Sequence, residues 1–220
     1  MFSEKVFLIK KILIFIGIHM INKNKIILNG QRVQLLPMNM NHLDALYLAI
    51  IADEKWENVW RYRIDKVKNK DDLRKYMELA LAGVDKGDII PFVIFDKKLN
   101  KIVGTTRFAD ISQQHRSLEI GWTSIAPEVM RSRVNTECKY LLLKYCFEDA
   151  QLARVCFKTL SINERSQKAI LRIGAIKEGE FRWAARQVDG TYVNVVFFSI
   201  IEPEWPDVKK RLERLLAQND

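Results

Sequence analysis

The chain has 220 residues, long enough for one well-buried domain and short for two, and 48% of them are hydrophobic, which excludes wholesale disorder. A formal net charge of +9 favours anionic ligands, yet the aromatic residues are not interleaved with the basic ones in a nucleic-acid motif, so no specific nucleic-acid partner is expected. The three cysteines, Cys138, Cys146 and Cys156, have neither metal nor redox spacing, and the histidines are isolated; no metal is expected, and an odd cysteine count points to a reducing, cytoplasmic setting.

The N-terminus reads as an apolar, basic extension over residues 1–24, ahead of a single domain over 25–220. Val6–Ile21 is apolar but is interrupted by Lys10 and Lys11, too short and too charged for stable membrane insertion. A signal-peptide core is a second reading, although Asn22-Lys23-Asn24-Lys25 follows where a small-residue cleavage site would stand. A third has translation begin at Met20, which makes the extension non-native.

Arg32–Leu36 alternates and ends at Pro37, as a strand does. Asn41–Ala52 and Asp71–Val84 carry apolar residues at helical spacing, the second with Asp71 and Asp72 where a helix N-terminus favours them. Ile89–Phe95 and Lys101–Phe108 flank the hairpin loop Asp96–Asn100, and Leu118–Ile125 is a further strand. A loop over Glu128–Val134 leads into a helix from about Asn135 to Ala150. Arg154–Leu160 is a strand, and Glu164–Ile173 a helix stopped by Gly174. Phe181–Val188 and Thr191–Ile200 flank the turn Asp189-Gly190, and Pro206–Leu216 is a closing helix. A meander followed by a β-α-β unit gives an α/β (α+β) domain with a mixed sheet and helices on both faces.

Three features could carry chemistry. The loop opening the helix at Asn135 presents free N–H groups and a positive dipole end, and Arg131, Ser132 and Arg133 add two guanidinium forks and a hydroxyl: a pyrophosphate cradle, or else a solvated surface loop. Asn163-Glu164-Arg165-Ser166 stands at a strand-to-helix junction, where Asn163 is also a plain N-cap. Glu119 lies among Leu118, Ile120 and Trp122, where a carboxylate's pKa can rise, unless alternation puts it on the solvated face.

Taken together, EIGW with a proline five residues on, RSRVNTECKYLLLKY, NERSQKAILRIGA, the Asp-Gly hairpin and FSIIEPEWP resemble the GNAT acetyltransferases, in the branch that includes the ribosomal-protein-alanine N-acetyltransferases. The resemblance runs from about Ile27 to Leu216. It implies a twisted, mostly antiparallel sheet that splays between Leu118–Ile125 and Arg154–Leu160, with the pantetheine arm of acetyl-CoA in the split beside Ser124, Ile125 and Ala126. It implies that Arg131, Ser132, Arg133, Val134 and Asn135 hold the pyrophosphate and that Asn163 holds the cofactor arm. An acetyl group would pass to a primary amine by direct attack, with Glu119 as general base and Ser166 as donor to the thiolate. Glu137 is the second choice of base. Trp56, Trp60 and Tyr62, on the first helical stretch, and Trp183, on the late hairpin, would wall the acceptor pocket; core packing is the competing reading for these aromatics.

Two departures stand out. Most of the superfamily has glycines where this chain has Arg131 and Arg133, although some members of this branch lack them too. Many members have a tyrosine acid where this chain has Ile170. A catalytically degenerate acyl-CoA-binding module is therefore the alternative function. A monomer and a homodimer are both compatible with the sequence.

Overall fold

The computed structural model describes residues 26–64 and 67–218. The readings made for residues 1–24 lie outside them. One eight-stranded sheet organises the chain: β1 (Leu28–Asn29), β2 (Val33–Pro37), β3 (Ile90–Asp96), β4 (Lys101–Ser112), β5 (Ser117–Ile125), β6 (Arg154–Leu160), β7 (Ile176–Arg186) and β8 (Tyr192–Ile201). The spatial order is β1-β2-β3-β4-β5-β6-β8-β7. Only β5 and β6 run parallel; the other neighbours pair antiparallel. This is the expected mixed, mostly antiparallel sheet.

Helices α1 (Leu43–Ile50), α2 (Glu57–Trp60) and α3 (Lys70–Lys86) cover one face of the sheet, and α4 (Val134–Lys144), α5 (Glu164–Arg172) and α6 (Trp205–Gln218) the other. The first core packs Leu46, Ile50, Trp60, Leu73 and Met77 against Val93. The second packs Val134, Leu142, Ile170 and Leu212 against Phe92, Phe108, Ile120, Val155 and Phe198. Helix α3 starts where its sequence says it should: the Asn69 side chain accepts from Asp72 N at 2.9 Å, and Asp71 and Asp72 lie in the first turn. Helix α4 continues through a wider turn at Tyr145–Asp149 before β6.

Two features were not legible in the sequence. Strand β1 is only two residues long and pairs with β2 across a turn. Helix α2 is a single turn in the segment after α1, so Trp56, Trp60 and Tyr62 lie beyond the first helix rather than on it.

Candidate active site

The central feature is where β5 leaves β6. Their ladder covers Ser117↔Arg154, Leu118↔Val155 and Glu119↔Cys156 and then ends, although β5 runs on to Ile125 and β6 to Leu160. Strand β4 follows β5 as far as Gly104↔Ile125, and β8 follows β6 as far as Leu160↔Val195. Past Glu119 the inner edge of β5 therefore has no strand beside it, and its backbone groups need water or a ligand. Ala126 N is turned to the other side, bonding Val103 O at 2.8 Å. The Ser124 Oγ is buried with no hydrogen-bond partner among the described residues. An extended chain of amides fits this edge as an added strand would.

Glu119 sits on the last rung before the split and is 4% exposed. Its Oε2 lies 2.8 Å from Lys158 Nζ, which also donates to Asp110 Oδ2 at 2.6 Å. Burial raises the Glu119 pKa; the Lys158 ammonium pulls against that without cancelling it. Burial lowers the Lys158 pKa, but Asp110 and Glu119 outweigh it and hold the group at about 12. Glycine at 121 leaves room for the Glu119 carboxyl, since a Cβ there would stand 2.8 Å from its Oε1 and push the side chain aside. Across from Gly121 on β4 is Arg107. Its guanidinium lies 4.9 Å from the ring centre of Tyr76 and 4.6 Å from that of Trp122. Trp122 has a left-handed backbone, φ +50°, where the β4–β5 register shifts.

On the opposite face, the Lys139 ammonium of α4 reaches the same stretch of β5. It donates to Thr123 Oγ1 at 2.7 Å and lies 6.0 Å from the Phe157 ring centre on β6. Burial lowers its pKa.

The loop before α4 is built by Ser132. Its Oγ donates to Val129 O at 2.7 Å and accepts from Val134 N at 3.3 Å. Arg131 is exposed and left-handed, φ +64°, at one of the positions where the superfamily carries glycine. The two arginines differ. Arg131 makes no hydrogen bond or ion pair among the described residues, whereas Arg133 is tied to Gln31 Oε1 at 2.9 Å and lies 3.5 Å from Glu137 Oε2. The Val134 side chain is in the core, which leaves only its backbone to face a ligand. The Asn135 Oδ1 is buried without a partner among the described residues. Glu137 accepts from Arg32 N at 3.0 Å and fills the space over Gly30, where a Cβ would meet its Oε1 at 2.1 Å. It is directed at the β1–β2 turn.

At the start of α5 the Asn163 side chain accepts from Ser166 N at 3.1 Å, so the cap predicted for Asn163 is present. Ser166 is half-buried. Ile170 is in the core. The neighbouring Arg165 donates to Asn58 O at 2.7 Å, bringing α5 to the α2 segment. Trp60 in that segment is 2% exposed, donates to Ile50 O at 3.0 Å and meets Tyr76 edge-on, as a core residue does. Trp56 and Tyr62 are half-buried. Trp183 is 71% exposed and stacks on Tyr192 at 5.2 Å, on the outer hairpin. The predicted aromatic wall is thus divided among core, half-buried and exposed settings.

Sequence reasoning passed over Arg107, Lys139 and Lys158. Strand alternation offered a signal for two of them: Arg107 alternates with Thr105 and Ala109, and Lys158 with Cys156.

Residues 32–176 match the family model for the acetyltransferase (GNAT) domain. An uncharacterized N-acetyltransferase of Bacillus subtilis (strain 168), YoaA, is 32% identical over 178 residues, covering 80% of this chain and 97% of that protein. YdaF of the same organism, provisionally named a ribosomal N-acetyltransferase, is 30% identical over 175 residues, covering 76% and 90%. The structure of Mycobacterium smegmatis RimJ in complex with CoA-disulfide superposes with a TM-score of 0.70 at 22% identity, over 85% of this chain and 90% of that one. With the family model spanning the split, the loop before α4 and the start of α5, the chain belongs to the GNAT acetyltransferase family and is an acyl-CoA-dependent N-acyltransferase.

Proposed function

We propose that this protein moves an acetyl group from acetyl-CoA to a primary amine by direct attack, with no acyl-enzyme, and that Glu119 is the general base. The observation that carries this reading is the position of Glu119: a buried carboxylate of raised pKa on the last rung before β5 and β6 part. The free edge of β5 at Ser124 and Ile125 supports a pantetheine arm in the split, and the CoA-disulfide bound to RimJ, a protein of the same fold, supports it further. Arg131, Ser132 and the open N–H groups at the start of α4, with Arg133 beside them, would face the pyrophosphate. The buried Asn135 Oδ1 and the free amide nitrogen of Asn163 would hold the arm.

In the reaction the substrate ammonium gives one proton to Glu119, directly or through a water, and the neutral amine attacks the thioester carbon; the nitrogen's second proton leaves as the C–S bond breaks and reaches the departing thiolate by way of Ser166 or water. The N–C bond forms, backbone N–H groups of β5 steady the oxygen, and the C–S bond breaks. Ser166 supplies a hydrogen bond to the departing thiolate. Lys158 opposes the effect of burial and favours the ionised form of Glu119.

The test is release of CoA from acetyl-CoA against a panel of small amines, lysine peptides and peptide N-termini. The expected result is acceptor-dependent release of CoA and formation of an amide. Tight acetyl-CoA binding without release for any acceptor would contradict the reading and leave a binding module. Arg131→Ala should weaken acetyl-CoA more than Arg133→Ala, because only Arg131 has an unengaged guanidinium.

A further inference from the structure

On the face of the sheet that carries Glu119, one buried cation has no counter-charge. Arg107 is 7% exposed, and among the described residues its guanidinium makes no hydrogen bond and no ion pair; the rings of Tyr76 and Trp122 are its only partners. A guanidinium has five N–H donors and no acceptor. Ring faces attract its charge but satisfy none of those donors in their own plane. Its nitrogens are not among the fully buried, unpartnered atoms, so the donors keep some contact with solvent.

Glu119 is on the same face of the sheet. Arg107 pairs with Gly121, and Glu119 is two residues from Gly121 on the same face, so Arg107 and Glu119 are diagonal neighbours, ~7–8 Å apart at the backbone. Glycine at 121 leaves no side chain between them, and the Glu119 carboxyl leans over that glycine. Trp122 keeps a left-handed backbone at the register shift while its ring packs on the guanidinium. The guanidinium is therefore held by aromatic rings, with its fork unpaired among the described residues, on the same face of the sheet as Glu119.

We propose that Arg107 determines acceptor specificity and that the acceptor is an amine bearing a carboxylate a few atoms from its nitrogen. The guanidinium takes the carboxylate as a bidentate fork, which orients the amine toward Glu119. This rests on Glu119 being the base. The carboxylate has two sources, a free amino acid or an acidic residue next to a peptide N-terminus, and the same fork recognises both.

The experiment is calorimetry on the whole protein saturated with CoA, where no turnover is required. One arm compares glycine, alanine and glutamate with their carboxamides. The other compares a tetrapeptide amide with glutamate as its second residue and the same peptide with glutamine there. The expected result is that in one arm the acid binds at least about tenfold tighter than its amide, as a charge-assisted fork implies. Arg107→Gln should erase that preference by weakening the acid, and Arg107→Lys, which keeps the charge without the fork, should restore only part of it. The arm that shows the preference identifies the source. Equal or absent binding of acid and amide in both arms by the unaltered protein overturns the proposal, and that comparison needs no variant to fold. A clear preference for the acid without acetyl transfer to it, while other amines are acetylated, would also overturn the proposal; acetyl transfer to no amine at all would count instead against the proposed function.

Discussion

Two buried glutamates, eighteen positions apart in sequence, do different things. Glu137 is 2% exposed, caps the β1–β2 turn through Arg32 N, lies beside Arg133 and fills the space above Gly30. Glu119 is 4% exposed, pairs with the exposed Lys158, leans over Gly121 and stands where two strands part. Burial alone does not separate them. The difference lies in their partners. Glu137 Oε1 is committed to the backbone and its Oε2 lies beside an arginine, whereas Glu119 is paired with one exposed lysine and stands at an edge of the sheet that lacks a strand. A carboxylate commits to structure when its bonds close a turn, and is available for chemistry when they leave a side open.

The largest effect that would sharpen this contrast is on rate. Glu119→Gln should lower kcat by about 10²–10⁴-fold, the range for loss of a general base, while leaving CoA affinity in place. Near-normal kcat with an unchanged pH profile would break the contrast. Glu137→Gln should do the reverse, costing about 1–3 kcal/mol of stability in chemical denaturation with kcat per folded molecule nearly unchanged. A large loss of kcat there would transfer the role to Glu137.

A smaller effect concerns pH. The base must be ionised, so kcat/KM should rise with pH through the raised Glu119 pKa. Lys158→Met removes the charge that opposes burial, so this acidic limb should move to higher pH; a limb that stays put or moves down would contradict the pairing. Linkage gives stability the opposite trend with pH. A carboxyl whose folded pKa lies above its unfolded one favours folding below the unfolded value, and that contribution fades as pH rises through the folded value. Glu119→Gln should flatten that part of the stability profile. The smallest effect is at Arg131, where the left-handed backbone strains a side chain. Arg131→Gly should raise stability by up to about 1 kcal/mol while weakening acetyl-CoA, and a gain in affinity would show that the guanidinium plays no part in binding.

Most of the strand and helix order could be read from the sequence because each element announces its own period and ends: Asn69 with Asp71 and Asp72 opens α3, and Gly174 follows α5. The split was legible only through family resemblance, since nothing local in Leu118–Ile125 says which rung is the last. Glu119 was singled out because a carboxylate interrupts an apolar strand. Trp60 misled because an aromatic near a site and an aromatic in a core look alike in sequence; its bond to Ile50 O exists only once α1 and α2 have packed. Arg107, Lys139 and Lys158 were missed for a related reason. A lone basic residue on a strand or helix reads as merely solvated, and what it contacts depends on Tyr76, Thr123 and Glu119 arriving from elsewhere in the chain.

The most direct test of the central claim is a crystal structure of the protein with CoA. The expected result is a pantetheine arm lying along β5 past Glu119, bonded to the backbone near Ser124–Ala126, with the pyrophosphate at the start of α4 and the sulfur on the Glu119 side of the split. A pantetheine arm bound anywhere other than between β5 and β6, or a sulfur far from Glu119, would contradict it.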